Sequence, residues 1–103
     1  MAESRFQAQL ITELRHMFPG CVVLKNDSSY IQGFPDLTIF YMNMWAVLEC
    51  KDDESAPYQP NQEYYLEKLN SMSFASVIHP QNKEHVLRGL QRAFGLGGTA
   101  RIP

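Results

Sequence analysis

Gly33-Phe34-Pro35-Asp36-Leu37-Thr38-Ile39-Phe40-Tyr41-Met42-Asn43-Met44-Trp45-Ala46-Val47-Leu48-Glu49-Cys50-Lys51 is the stretch from which the fold follows. Two runs rich in β-branched, aromatic and other apolar residues, Asp36 to Tyr41 and Met44 to Lys51, are separated only by Met42-Asn43. So short a link permits nothing but an antiparallel hairpin. Side chains alternate along a strand, so Glu49 and Lys51 share one face and Cys50 takes the other. Asp36 stands at the start of the first strand, directly after the Gly-Phe-Pro turn.

Outward from the hairpin the elements alternate. Upstream, residues 3 to 18 carry Phe6, Leu10, Ile11, Leu14, Met17 and Phe18 at amphipathic-helix spacing, and Pro19-Gly20 stops the helix. Cys21 to Lys25 reads as a short strand, followed by the polar loop Asn26 to Ser29. Downstream, a polar, proline-containing loop spans 52 to 60. A helix capped by Asn61 runs to about Ser71, Phe74 to His79 reads as a strand, and Asn82 or Lys83 to Phe94 as a last helix. The expectation is one α/β domain over residues 1 to 94, in the order αβββαβα, with a flexible tail from Gly95 to Pro103. Its small mixed sheet is flanked by helices, and a right-handed helical crossover leads into the last strand.

The charges in the hairpin need explaining. Ionised groups set among Leu37, Ile39, Phe40, Trp45, Ala46, Val47 and Leu48 are costly unless paired or bound to a metal. Asp36 and Glu49 as hard oxygen ligands for Mg²⁺ or Mn²⁺, beside a fixed positive charge on Lys51, would account for all three and suit phosphodiester hydrolysis. Taken alone, Glu49 and Lys51 read as a surface salt bridge, and Asp36 as a turn residue.

The ordered combination of Pro35-Asp36, a hairpin and Glu49-Cys50-Lys51 resembles the PD-(D/E)xK nuclease superfamily. The Gly-Phe-Pro-Asp form and the compact length are similar to its VRR-NUC branch and to Holliday junction resolvases, over roughly residues 3 to 80. The resemblance implies a restriction-endonuclease-like core and Mg²⁺ (or Mn²⁺) held by Asp36, Glu49 and the main-chain carbonyl of Cys50. It also implies a first-helix glutamate completing the metal site. Glu3 is the matching position, since it falls near the centre of the helix's apolar stripe, although an acid in a first turn also complements the helix dipole. Glu13, near the stripe's edge, is the alternative. Gln62, in Gln62-Glu63-Tyr64-Tyr65, resembles the Gln-x-x-Tyr signature beside such sites. The partner implied is DNA, branched or duplex, cut by a homodimer that presents two sites to two strands. A stand-alone domain of this size resembles phage-encoded members.

Other chemistries find little support. His16, His79 and His85 lack metal-ligand spacing, Cys21 and Cys50 form no CxxC pair, and Gly95-Leu96-Gly97-Gly98 follows a helix where a phosphate loop would precede one. No apolar run approaches membrane length and no signal peptide is evident, so the expected setting is a cytoplasm, the host's if the chain is phage-encoded. A net charge of −2, from 9 Lys and Arg against 11 Asp and Glu, argues against avid nonspecific DNA binding. The remaining lysines and arginines, from Arg5 to Arg101, are available as a basic rim. The competing reading is a noncatalytic nucleic-acid-binding or protein-interaction module on the same fold. A restriction-type enzyme would need recognition elements for which 103 residues leave little room.

Overall fold

The computed structural model describes residues 4–95. Its elements run α1 (Arg5–Met17), β1 (Val22–Lys25), β2 (Leu37–Tyr41), β3 (Met44–Cys50), α2 (Gln62–Asn70), β4 (Phe74–Ile78) and α3 (Lys83–Ala93). This is the expected αβββαβα order, and only the ends of the elements differ. α1 starts after Ser4, whose hydroxyl accepts a hydrogen bond from the Gln7 amide at 3.0 Å and so caps the first turn. β2 starts at Leu37 and β3 stops at Cys50, leaving Asp36 and Lys51 just outside the ladder. Leu96 to Pro103, the greater part of the expected flexible tail, lies outside the described residues, as does Glu3.

The sheet is mixed, in the order β1-β2-β3-β4, with β1, β2 and β3 antiparallel in sequence and β4 parallel to β3. The hairpin register pairs Tyr41 with Met44 and Leu37 with Leu48. Its two-residue turn puts the exposed Met42 in the left-handed region, at φ 58°, as tight hairpin turns demand.

Alternation then divides the sheet. Leu37, Ile39, Ala46, Leu48 and Ile78 face a core shared with Leu10, Ile11 and Leu14 of α1 and with Val86, Leu87, Leu90 and Phe94 of the α3 region. Phe18 and Phe94 close this core edge to face, with ring centroids 5.2 Å apart. The opposite face carries Thr38, Val47 and Glu49, and α2 packs there against β4. No α2 residue is fully buried. That helix is held by its N-terminal polar contacts as much as by apolar burial.

Candidate active site

Continued by one step, the hairpin register that pairs Leu37 with Leu48 sets Asp36 opposite Glu49, on the face away from the main core. Directly opposed side chains of an antiparallel pair stand close enough to interact, and like charges there repel. The chain therefore holds two carboxylates against each other at the mouth of its central hairpin. Asp36 Oδ2 accepts the Cys50 backbone N–H at 3.0 Å. Glu49 is 3% exposed, and its Oε2 accepts the Gln62 side-chain amide at 2.8 Å. Among the described residues Glu49 Oε1 is buried without a well-formed hydrogen-bond partner, and the group set against this carboxylate is the facing Asp36.

Lys51 leaves the ladder but stays in the site. Its backbone N–H donates to the Ile78 carbonyl at 2.9 Å. Its ammonium donates to Gln62 Oε1 at 2.8 Å and to the Pro57 carbonyl at 3.1 Å, and stands 3.8 Å from Glu49 Oε2. Gln62 thus bridges the two charges, its amide turned to the carboxylate and its carbonyl to the ammonium. The Gln59 backbone N–H, 2.6 Å from the same Oε1, fixes that orientation.

The electrostatics follow from burial. Loss of solvent, then the charge of Asp36, pushes the Glu49 carboxyl up to about 7, even with Lys51 nearby. Burial likewise raises Asp36, against the Cys50 N–H and the lysine. The Cys50 thiol is pushed up to about 12 by burial and the adjacent carboxylates, so it is a packing group and not a nucleophile.

Three features of the site have no periodic signal in the sequence. The first is a close approach between loops: a Cβ on Gly33, at φ 86°, would lie 2.6 Å from the Pro60 carbonyl oxygen and 2.6 Å from Asn61 Cβ. Glycine in the Gly-Phe-Pro-Asp turn is what lets the start of α2, and with it Gln62, dock beside Asp36. The second is Asn61. It occupies the N-cap position of α2 in the left-handed region, φ 71°, and its side chain makes no capping hydrogen bond, contrary to the expected cap. A residue in that conformation serves the turn, which asparagine tolerates, and its side chain is unavailable to the first turn of the helix. The third is the Pro57-Tyr58-Gln59 segment, which supplies a carbonyl, a backbone N–H and the Tyr58 ring, 5.6 Å from the lysine ammonium.

The structure therefore brings Asp36, Glu49, Cys50, Lys51 and Gln62 together. Glu13 is engaged elsewhere, donating nothing to this cluster and accepting the Lys83 ammonium of α3 at 2.9 Å. Among the described residues no group of three or more His, Cys, Asp or Glu side chains converges. Nor is any described helix long and apolar enough to cross a membrane.

Compared with known proteins, the sequence matches no family profile and no curated relative. The fold does find a counterpart. A solved structure titled "VRR_NUC domain protein" aligns over 93% of this chain and 93% of its own, with a TM-score of 0.59 and 16% identity. The two chains share an α/β fold built on a small mixed sheet.

Proposed function

We propose that this chain is a divalent-metal-dependent DNA endonuclease, selective for branched structure in the manner of a Holliday junction resolvase. One observation carries the reading: two carboxylates set against each other, that of Glu49 buried, beside a lysine held in place by a glutamine. A buried oxygen without a well-formed partner costs about 1–3 kcal/mol, and burial, then the facing Asp36 charge, raises the Glu49 carboxyl. A hard cation answers both, which is the fit that the donor set of Asp36, Glu49 and the Cys50 carbonyl offers to Mg²⁺ or Mn²⁺. When bound, the ion supplies Lewis-acid polarisation of the phosphodiester and acidifies a water.

The chain's own groups do the rest. Lys51 presents a donor beside Glu49, placed to orient the attacking water or to meet negative charge as it develops on the phosphate. Gln62 keeps the ammonium from collapsing onto Glu49, so that the carboxylate stays free for a ligand and the lysine for the substrate. Glu3 is the proposed third acid, and a homodimer would set two such sites against two strands.

The arrangement of Glu13 favours a second reading. With the described first-helix acid tied to Lys83, the fold could serve as a noncatalytic nucleic-acid-binding module. Cleavage of a labelled four-way DNA junction beside linear duplex of the same sequence, in Mg²⁺, Mn²⁺ or EDTA, separates the two. Metal-dependent cutting of the junction, lost in Lys51→Ala and in Asp36→Ala, is expected. Binding without cutting under every metal condition would establish the module instead.

A further inference from the structure

Beside Asp36 the surface opens into a cleft of about 350 Å³ lined by Asn26, Asp27, Tyr30, Ile31 and Phe34. It is joined to the site by backbone and side chain alike. The Asn26 N–H donates to the Asp36 carbonyl at 2.7 Å, and the Asn26 amide donates to the Pro35 carbonyl at 2.9 Å. Tyr30, 86% exposed, stands on a turn ordered by Asp27, which accepts the Ser29 N–H at 2.9 Å and whose carbonyl accepts the Tyr30 N–H at 3.1 Å. So exposed an aromatic ring on an ordered turn presents its apolar area to solvent.

We infer that this cleft takes an unpaired nucleobase next to the scissile phosphate, with Tyr30 stacked on its face, an inference that rests on the nuclease reading above. Charge selects the base over a phosphate. Asp27, the acidic residue in the cleft's lining, is held ionised by its hydrogen bonds from Ser29, so the cleft repels a backbone phosphate while offering an acceptor to the N–H groups of a base. Apolar walls from Ile31 and Phe34 suit a flat heterocycle. The overall charge of −2 points the same way, because a domain that cannot draw much affinity from phosphates must draw it from stacking, which every base offers once it is out of the duplex. Tyr58 over Lys51 and the exposed Tyr64 extend the aromatic rim around the site. Bases at a junction or in a single strand are available to such a rim, whereas those inside a continuous duplex are not.

Binding of a fluorescein-labelled single strand and of the matching blunt duplex, by anisotropy with Ca²⁺ in place of Mg²⁺, tests this. The expected result is that Tyr30→Ala weakens single-strand binding roughly ten- to hundred-fold, leaves duplex binding within about two-fold, and is rescued by Tyr30→Phe. Wild-type binding of the single strand by Tyr30→Ala, an equal loss on both DNAs, or no single-strand binding by the wild type overturns the proposal. Cleavage in Mg²⁺ keeps the two readings apart. Cutting by the wild type with Tyr30→Ala indistinguishable from it in binding sinks the base cleft alone, while Tyr30-dependent binding with no cutting sinks the nuclease alone.

Discussion

The described residues include two glutamate–lysine pairs, and the one with the closer contact is the less informative. Glu13 and Lys83 meet at 2.9 Å between α1 and α3, with side chains 42% and 32% exposed. Glu49 and Lys51 stand 3.8 Å apart with side chains 4% and 11% exposed, and a glutamine bridges them. In the first pair each charge is satisfied by the other and by water. In the second, burial has removed the water, a second carboxylate competes for the lysine, and one carboxylate oxygen is left over. Distance alone would rank the pairs wrongly; what distinguishes them is how much charge each leaves unanswered.

Removing the lysine from each pair should give the widest separation. Lys51→Ala is expected to lower the rate of junction cleavage by at least about 10³-fold, the scale of losing a group that meets transition-state charge, with the circular dichroism spectrum preserved. Cleavage at wild-type rates by that variant would end the catalytic reading of the buried pair. The hold on that pair can be broken from a distance. Gly33→Ala should destabilise the fold by about 2–4 kcal/mol in denaturant titration, because neither the backbone angle nor the space beside Pro60 accepts a methyl group. A neutral result there would mean that Gln62 is positioned by something other than this loop contact.

Acidity sharpens the comparison. The folded-state pKa of Glu49 lies above its ordinary value, so between roughly pH 4.5 and 7 the native chain binds more protons than the unfolded one. Stability in EDTA should accordingly fall as pH rises through that window, by roughly 1–3 kcal/mol, and level off above it. Glu49→Gln should flatten the profile. Stabilisation by Mg²⁺ should run in the opposite sense and grow as pH passes 7, since only the ionised carboxylate can ligate. Thermal melts across pH with and without the ion would show either crossing or parallel curves, and parallel curves would argue against a metal at this site. The smallest effect belongs to the exposed pair: Lys83→Ala should cost about 0.2–1 kcal/mol, less in high salt, and leave cleavage within about two-fold. If Glu13→Gln instead abolished cleavage, the first-helix acid would be Glu13 and not Glu3.

The legible parts of the molecule were those set by period and turn length. The hairpin, its two-residue turn and the alternation along β3 were enough to put Glu49 and Lys51 on one face, while Asp36 was reached from its charge among apolar neighbours and from resemblance, and its opposition to Glu49 comes from the observed register. The apolar spacing of α1 and α3 identified the core face in the same way. Gln62 was reached only by resemblance, and the Pro57 carbonyl, the Gln59 N–H and the contact of Gly33 with Asn61 were not reached at all. These last arise where two irregular loops meet, and no periodicity governs loops. The expected Asn61 cap failed for a related reason: the residue type fitted the position, but the turn there sets the backbone in the left-handed region and the side chain makes no capping hydrogen bond.

The hairpin register also constrains how such a chain can change length. Asp36 faces Glu49 because the residues between them fold symmetrically about the Met42-Asn43 turn. Loss of a single residue from β2 or β3 would turn one carboxylate toward the core while its partner stayed in place. Loss of one residue from each strand would keep the two opposed but turn both toward the core, and only loss of two from each keeps them opposed on the site face. Insertions and deletions that keep a working site should therefore occur in this hairpin in matched twos, two residues per strand, or be confined to the turn, whereas the loop from Asp52 to Pro60 can vary only in the part before Pro57, whose carbonyl holds the lysine.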